Sequence, residues 1–412
     1  MPSPLALLAR CASPAALALL AGCSGGSADD ERALEATTST TGVATTALRE
    51  GVELARVAAS PREETPSALP PRHLDAALHP TALVPREQIV SGGPPPDGIP
   101  SIDAPRFLRV GEVDFLADDE PVIVLVHGGE TRVYPVQILI WHELVNDTVA
   151  GAPLTVAYCP LCNSAVAYDR RVEGRVLEFG TSGSLYQSAL VMYDRQTHTL
   201  WTHFDGRAVV GPLAGAQLGL VPVSTVGWGT IRQRTPDALV LSRATGRTKP
   251  YGTNPYVGYE QGGAPIEGFF TGDLDLRRLA MSRVVGVRGG GDAVGVGAEA
   301  AAARGVVDVE LAGRRVTVWH APGVSSAIDG ELTTRARDVG AVGVFVPEVD
   351  GRPLRFSRQG EEFVDAETAS TWSILGEASA GPLSGRRLEP VEHVDTFWFA
   401  WSVYQPGARL VD

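Results

Sequence analysis

Lysine is nearly missing from this chain. Lys249 is the only one, so 34 of the 35 basic residues are arginine. It lies in the loop-like "GRTKPYG", which makes Schiff-base chemistry a poor fit. Basic runs are missing too, and the net charge is −13. An acidic chain without a basic patch argues against nucleic acid as a partner. No stretch reaches eighteen unbroken apolar residues, so the sequence contains no candidate membrane-spanning helix. Cysteine is scarce, with four in 412 residues, and their positions differ sharply in meaning.

Two of the four fall in "MPSPLALLARCASPAALALLAGCSGG". One positive residue, Arg10, precedes a short apolar run that ends in Leu20-Ala21-Gly22-Cys23. Small residues before a cysteine read as a cleavage site. The pattern resembles a bacterial lipoprotein signal over residues 1–23, with Cys23 as the lipidated first residue of the mature chain. Cys11 would leave with the leader. An ordinary secretory signal with an incidental cysteine is the alternative. The expectation is an extracytoplasmic protein held to the bacterial cell envelope by a lipid on Cys23, with the membrane as one partner. A small-molecule or protein partner is not legible.

Residues 24–83 are polar, then Pro-rich, with few large apolar side chains. Such composition cannot bury enough surface to offset chain entropy and reads as a disordered tether. The folded body should begin near residue 84.

That body repeats itself. "YDRQTHTLWTHFDGRAVVGPLAGAQL" and "VDAETASTWSILGEASAGPLSGRRL" share a spaced set of residues. Asp194, Thr197, Trp201, Gly206 and Gly211-Pro212-Leu213 recur as Asp365, Thr368, Trp372, Gly376 and Gly381-Pro382-Leu383. Upstream, Ser164-Ala165 falls on Ser326-Ala327, Cys159 on Ala321, Cys162 on Val324 and His142 on Arg304. Two related halves are expected, a first repeat over 84–260 and a degenerate second over 261–412. Residues present in both halves read as scaffold, and those peculiar to the first are better functional candidates.

The fold class expected is α+β and β-rich, with short strands and about one helix per repeat. "PVIVLV" and "TRVYP" flank His127-Gly128-Gly129-Glu130, a hairpin signal. Val136, Leu139, Ile140 and Leu144 at helical spacing predict a helix over 136–147, ending near Asp147. Short strands follow through "PLTVAY", "SAVAYD", "RVLEFG" and "SALVMYD".

Between two of them stands "YCPLCNSAVAYDR", with Cys159 and Cys162. A disulfide across so short a loop restrains the unfolded chain little, so a structural pair, or an inert buried one, is the weaker explanation. Two sharper readings remain. Cys-Pro-Leu-Cys can present both thiolates to a soft ion, zinc or copper, with His142 on the preceding helix as third ligand. On that helix Glu143 and Asp147 share a face and are candidates for orienting a ligand or transferring protons. Alternatively the pair is a redox dithiol, since C-x-x-C lowers a thiol pKa and cycles with a disulfide. Redox C-x-x-C usually opens a helix, whereas the residues after Asn163 read as strand. His203 reads as an ordinary packed or surface histidine, and Met192 as a core residue. "GTSGSLYQS" lacks the following helix of a phosphate loop, and Ser184 lacks a hydrolase elbow.

Taken together, "SGGPPPDGIPSIDAPRF", "RVYPVQILIWHELVND", "YCPLCNSAVAYDR", "GTSGSLYQSALVMYDRQTHTLWTHFDGRAVVGPLAG" and "YGTNPYVGY" resemble the DUF3179 family. The resemblance is strong over about residues 88–260 and continues loosely to "FWFAWSVYQPGARL". It implies no established activity. Members often carry glycine after the second cysteine; Asn163 stands there in this chain and also tolerates a left-handed turn.

Overall fold

The computed structural model describes residues 79–412 other than Arg335. The expected leader, the lipidation site at Cys23 and the tether before residue 79 lie outside the described residues. Within them the fold is β-rich α+β. Its four α-helices are each seven residues long: α1 (Val136–His142), α2 (Trp228–Arg234), α3 (Ala298–Arg304) and α4 (Trp398–Tyr404). None of them is long and apolar enough to cross a membrane.

Strands Pro121–His127 and Glu130–Pro135 form the expected hairpin, turning through Gly128 and Gly129 at φ 56° and 83°. Left-handed values at both central positions suit the right-handed twist of the strands and favour glycine. The chain then runs through α1 into strands Leu144–Val149, Ala152–Cys159 and Ser164–Asp169, which pair in that order in one antiparallel sheet. A second sheet carries Phe179–Tyr186, Ala189–Asp194, Leu200–Thr202 and Ala208–Val210 in sequence. From Arg283 the element order is the same. A hairpin, α3 and strands Val306–Leu311, Arg314–Ala321 and Ala341–Val346 match their N-terminal counterparts in length and sheet order. The halves interlock: Val223–Gly227 runs beside Ala341–Val346, and His393–Phe397 beside Ser164–Asp169. Buried side chains from both halves share one core, Leu154 and Trp201 lying in the same cluster as Phe397 and Trp401.

Two expectations need correction. The helix expected over 136–147 stops at His142, because Glu143 turns left-handed (φ 59°, ψ −31°) and gives its N–H to the Leu139 carbonyl at 2.7 Å. Val145, Thr148 and Val149 are β-branched, and the segment pairs with Ala152–Cys159 instead of continuing the helix. The helical face shared by Glu143 and Asp147 therefore does not exist. Each half also has two helices where about one was expected. The missed pair, "WGTIRQR" and "WFAWSVY", are rich in residues with good strand propensity, and burial of Trp228, Trp398 and Trp401 overrides it.

The shared residues hold matching geometry. Trp201 Nε1 donates to Asp194 Oδ2 at 2.9 Å and Trp372 Nε1 to Asp365 Oδ2 at 2.9 Å. Thr197 N and Thr368 N each donate to the same aspartate at 2.6 Å. In the Gly-Pro-Leu turns, a Cβ on Gly211 would meet Thr199 Cα at 2.8 Å and one on Gly381 would meet Ser370 Cα at 2.7 Å. Only glycine fits there. Asp194→Ala should lower stability by about 3 kcal/mol, since it strands the buried Trp201 N–H and removes charge-assisted bonds. Denaturant midpoints of wild type and variant measure this; a loss below about 0.5 kcal/mol, the size of an ordinary surface change, would contradict it.

Candidate functional site

Strand Ala152–Cys159 ends at the first cysteine. Pro160 and Leu161 reverse the chain, and Asn163 closes the turn at φ 49° with its N–H on the Pro160 carbonyl at 3.2 Å. Asparagine tolerates that left-handed position. Ser164 opens the return strand directly opposite Cys159. Both cysteines are free thiols, and their relative exposures are 1% for Cys159 and 0% for Cys162.

The two sulfurs have unlike surroundings. Leu190 N–H donates to Cys159 Sγ at 3.4 Å. Burial alone would raise the Cys159 pKa, but the Cys162 thiol and the N–H groups of Leu190, Cys162 and Leu161 outweigh it and hold the thiol below its ordinary value. Cys162 goes the other way. Burial and the neighbouring Cys159 sulfur push it well above the ordinary range. Its Sγ lies 3.0 Å from Ser164 Oγ, which lies 2.8 Å from His203 Nε2. Burial pushes His203 down to about 3, so its imidazole is neutral. A protonated Cys162 can thus donate to Ser164, and Ser164 to His203.

Glu143 is the other titratable neighbour. Its carbonyl accepts the Tyr158 N–H at 2.8 Å. Burial, reinforced by Cys159, pushes its carboxyl up to about 8. The remaining candidates lie elsewhere. His142 Nδ1 faces the Pro100 carbonyl at 2.7 Å and Nε2 faces Tyr251 Oη at 2.7 Å. The carbonyl can only accept, so Nδ1 carries the proton and Nε2 accepts from the tyrosine; both nitrogens are engaged. Asp147 sits opposite Leu154, five residues before Cys159, or about 17 Å along the strand. It accepts from Tyr134 Oη at 2.7 Å and lies 3.8 Å from Arg132 Nε, a structural role. Among the described residues no group of three or more His, Cys, Asp or Glu is placed to hold a metal ion.

The sequence profile of the family described as "Protein of unknown function (DUF3179)" matches residues 96–408. The chain belongs to the DUF3179 family. No curated protein and no solved structure matches it. In this DUF3179 chain the fold brings together Cys159, Cys162 and Glu143, which the sequence singles out, and adds Ser164, His203 and the residues that cover the turn. Tyr259 Oη donates to the Leu161 carbonyl at 2.7 Å, and Ser188 N–H to the Phe269 carbonyl at 2.8 Å. These contacts lay the connecting segment between the halves over the cysteines. From the C-terminal half, Thr396 Oγ1 donates to the Cys162 carbonyl at 2.7 Å.

A signal for His203 was present, since Ile374 stands at its place in the second half.

The raised Glu143 pKa fixes a pH dependence. Between the ordinary 4.5 and about 8 the folded state holds a proton that the unfolded state has released, so stability falls as pH rises through that window. Glu143→Gln has no such proton. The stability difference between variant and wild type should move in favour of the variant across that range, by at most about 1.4 kcal/mol per pH unit. Parallel stability curves in urea titrations at several pH values would contradict the assignment.

Proposed function

We propose that this protein is a thiol–disulfide oxidoreductase whose working pair is Cys159 and Cys162. The observation that carries the reading is the unequal setting of the two sulfurs: Cys159 faces backbone N–H groups, and Cys162 is tied through Ser164 to His203. A dithiol exchanger needs one thiol ready to attack and a second that stays protonated until its turn. We extend the reading to the whole chain: a bacterial envelope lipoprotein held outside the membrane by Cys23, its body a tandem duplication. Matching element lengths, sheet orders and Asp-Trp bonds support the duplication. The second half has Ala321 and Val324 at the cysteine positions and acts as scaffold.

The chemistry runs in two steps. Cys159 thiolate attacks one sulfur of a substrate disulfide, forming a mixed disulfide and releasing the first substrate sulfur as thiolate. Cys162, held protonated by its hydrogen bond to Ser164 Oγ, then attacks Cys159 Sγ as its proton passes to the departing substrate sulfur. The second substrate sulfur leaves with that proton as a thiol. Two electrons pass from the protein dithiol to the substrate, leaving a Cys159–Cys162 disulfide. A dithiol donor reverses the exchange and restores the pair. Access to Cys159 requires the connecting segment around Tyr259 to move aside, and its only regular element near the turn is the short 3-10 helix Glu260–Gly262.

A second reading rests on the burial of two adjacent reduced sulfurs: the pair would hold a soft ion such as Cu(I) without a third protein ligand. Zinc fits less well, because its sites take at least three protein ligands and no such group is present among the described residues.

Redox titration in thiol buffers, with free thiols counted after denaturing quench, separates the readings. An exchanger should interconvert dithiol and disulfide with a midpoint between about −270 and −120 mV. With an aromatic disulfide, Cys162→Ser should accumulate a mixed disulfide and Cys159→Ser should not. A midpoint below about −300 mV, typical of structural disulfides, or equal trapping by both variants, would overturn the proposal. Stoichiometric copper on protein purified without chelator would favour the second reading.

A further inference from the structure

A second concave site lies in the C-terminal half. A cleft of about 400 Å³ opens beside α3, with Arg283, Arg337, Arg358, His320, Asp338 and Glu299 in its wall. That volume is in the range of small-molecule sites, and the charges can be accounted for one at a time.

Both acids in the wall are already occupied. Glu299 pairs with Arg278. Asp338 accepts the N–H groups of Gly323 at 2.9 Å, Val324 at 3.2 Å and Gly340 at 2.9 Å, so its oxygens are turned into the loop. Arg283 and Arg337 share Glu260, at 2.7 and 2.5 Å, and Arg283 also has Asp395 at 3.7 Å. Arg358 is different. It is half-buried, and no carboxylate among the described residues pairs with it. Nη1 donates to the His320 carbonyl at 3.2 Å, which is its hydrogen bond within the fold.

A guanidinium has five N–H donors in a planar fork that matches a carboxylate or phosphate. One donor of Arg358 is spent on the His320 carbonyl, and the others are not buried, so they are available to a ligand in the cleft. The side chain of Arg337, on the same wall, is 59% exposed and has donors beyond its contact with Glu260. We propose that the cleft binds a small molecule through an oxyanion group, a carboxylate or a phosphate, with Arg358 as the main anchor and Arg337 as the second donor. The site gives the half that lacks the cysteines a ligand of its own.

Isothermal titration of the purified protein with inorganic phosphate and, separately, with acetate tests this, at constant ionic strength set by chloride. Saturable binding of at least one probe, one per chain, is expected, and which probe binds tells phosphate from carboxylate chemistry. Arg358→Gln should weaken it about tenfold or more, the cost of a lost charge-assisted pair. Arg171→Gln, at an exposed pair with Asp169 in the other half, should leave it unchanged. Should Arg358→Gln fail to fold, Arg337→Gln gives a smaller loss in the same direction. No saturation by either probe at millimolar concentration, or binding undiminished in the cleft variants, would overturn the site.

Discussion

The carbonyl of Cys162 accepts hydrogen bonds from Thr396 Oγ1 at 2.7 Å and from the Phe397 N–H at 3.3 Å. Through these two bonds the C-x-x-C turn is fastened to a strand that begins in the other half of the chain. The turn has no regular ladder of its own: Cys159 pairs with Ser164 and the residues between them are outside the sheet. Without an outside partner the Cys162 carbonyl would be a buried, unsatisfied acceptor, which costs about 1–3 kcal/mol. The C-terminal half meets that need. It therefore helps hold the turn in place even though it carries neither cysteine.

The asymmetry of the thiols comes from what meets each sulfur. Both sulfurs are buried, and burial by itself raises any thiol pKa. Only fixed donors can reverse that for one sulfur, and the Leu190 N–H on the adjacent sheet is one of them. Leu190 also accepts the His203 N–H at 3.0 Å through its carbonyl. One residue thus meets Cys159 Sγ with its N–H and, through its carbonyl, holds the backbone of His203, whose imidazole meets Ser164. The strand Ala189–Asp194 is in turn held by the buried Asp194–Trp201 bond. Scaffold residues shared by the two halves and reactive residues peculiar to one are coupled through this strand.

Much of this was legible before any coordinates. The hairpin at His127–Glu130, the strand after Asn163 and the Asp194/Trp201 set follow from turn chemistry, alternation and self-similarity. The family followed from its motifs. What failed, failed for tertiary reasons. Helical spacing in "VQILIWHELVND" looked continuous because a left-handed Glu143 leaves no trace in the hydrophobic pattern; glycine at Gly305 marks the equivalent turn openly. His142 seemed the natural third ligand because it precedes the cysteine strand, yet the helix end directs it to Pro100 and Tyr251. Ser164 was hidden by its own repetition in Ser326. A shared residue can take different partners in the two halves: Ser326 bonds Glu260 at 2.6 Å, and Ser164 bridges Cys162 and His203.

The central claim is that the fold sets the two thiols apart. Thiolate ultraviolet absorbance followed through a pH titration of single variants tests it most directly. Cys162→Ser keeps a hydroxyl that can donate to Cys159, so the remaining thiol should titrate below the ordinary value of about 8.5, and in Cys159→Ser the remaining thiol should titrate above it. If both variants titrate together at or above that value, the turn does not distinguish its sulfurs and the account fails.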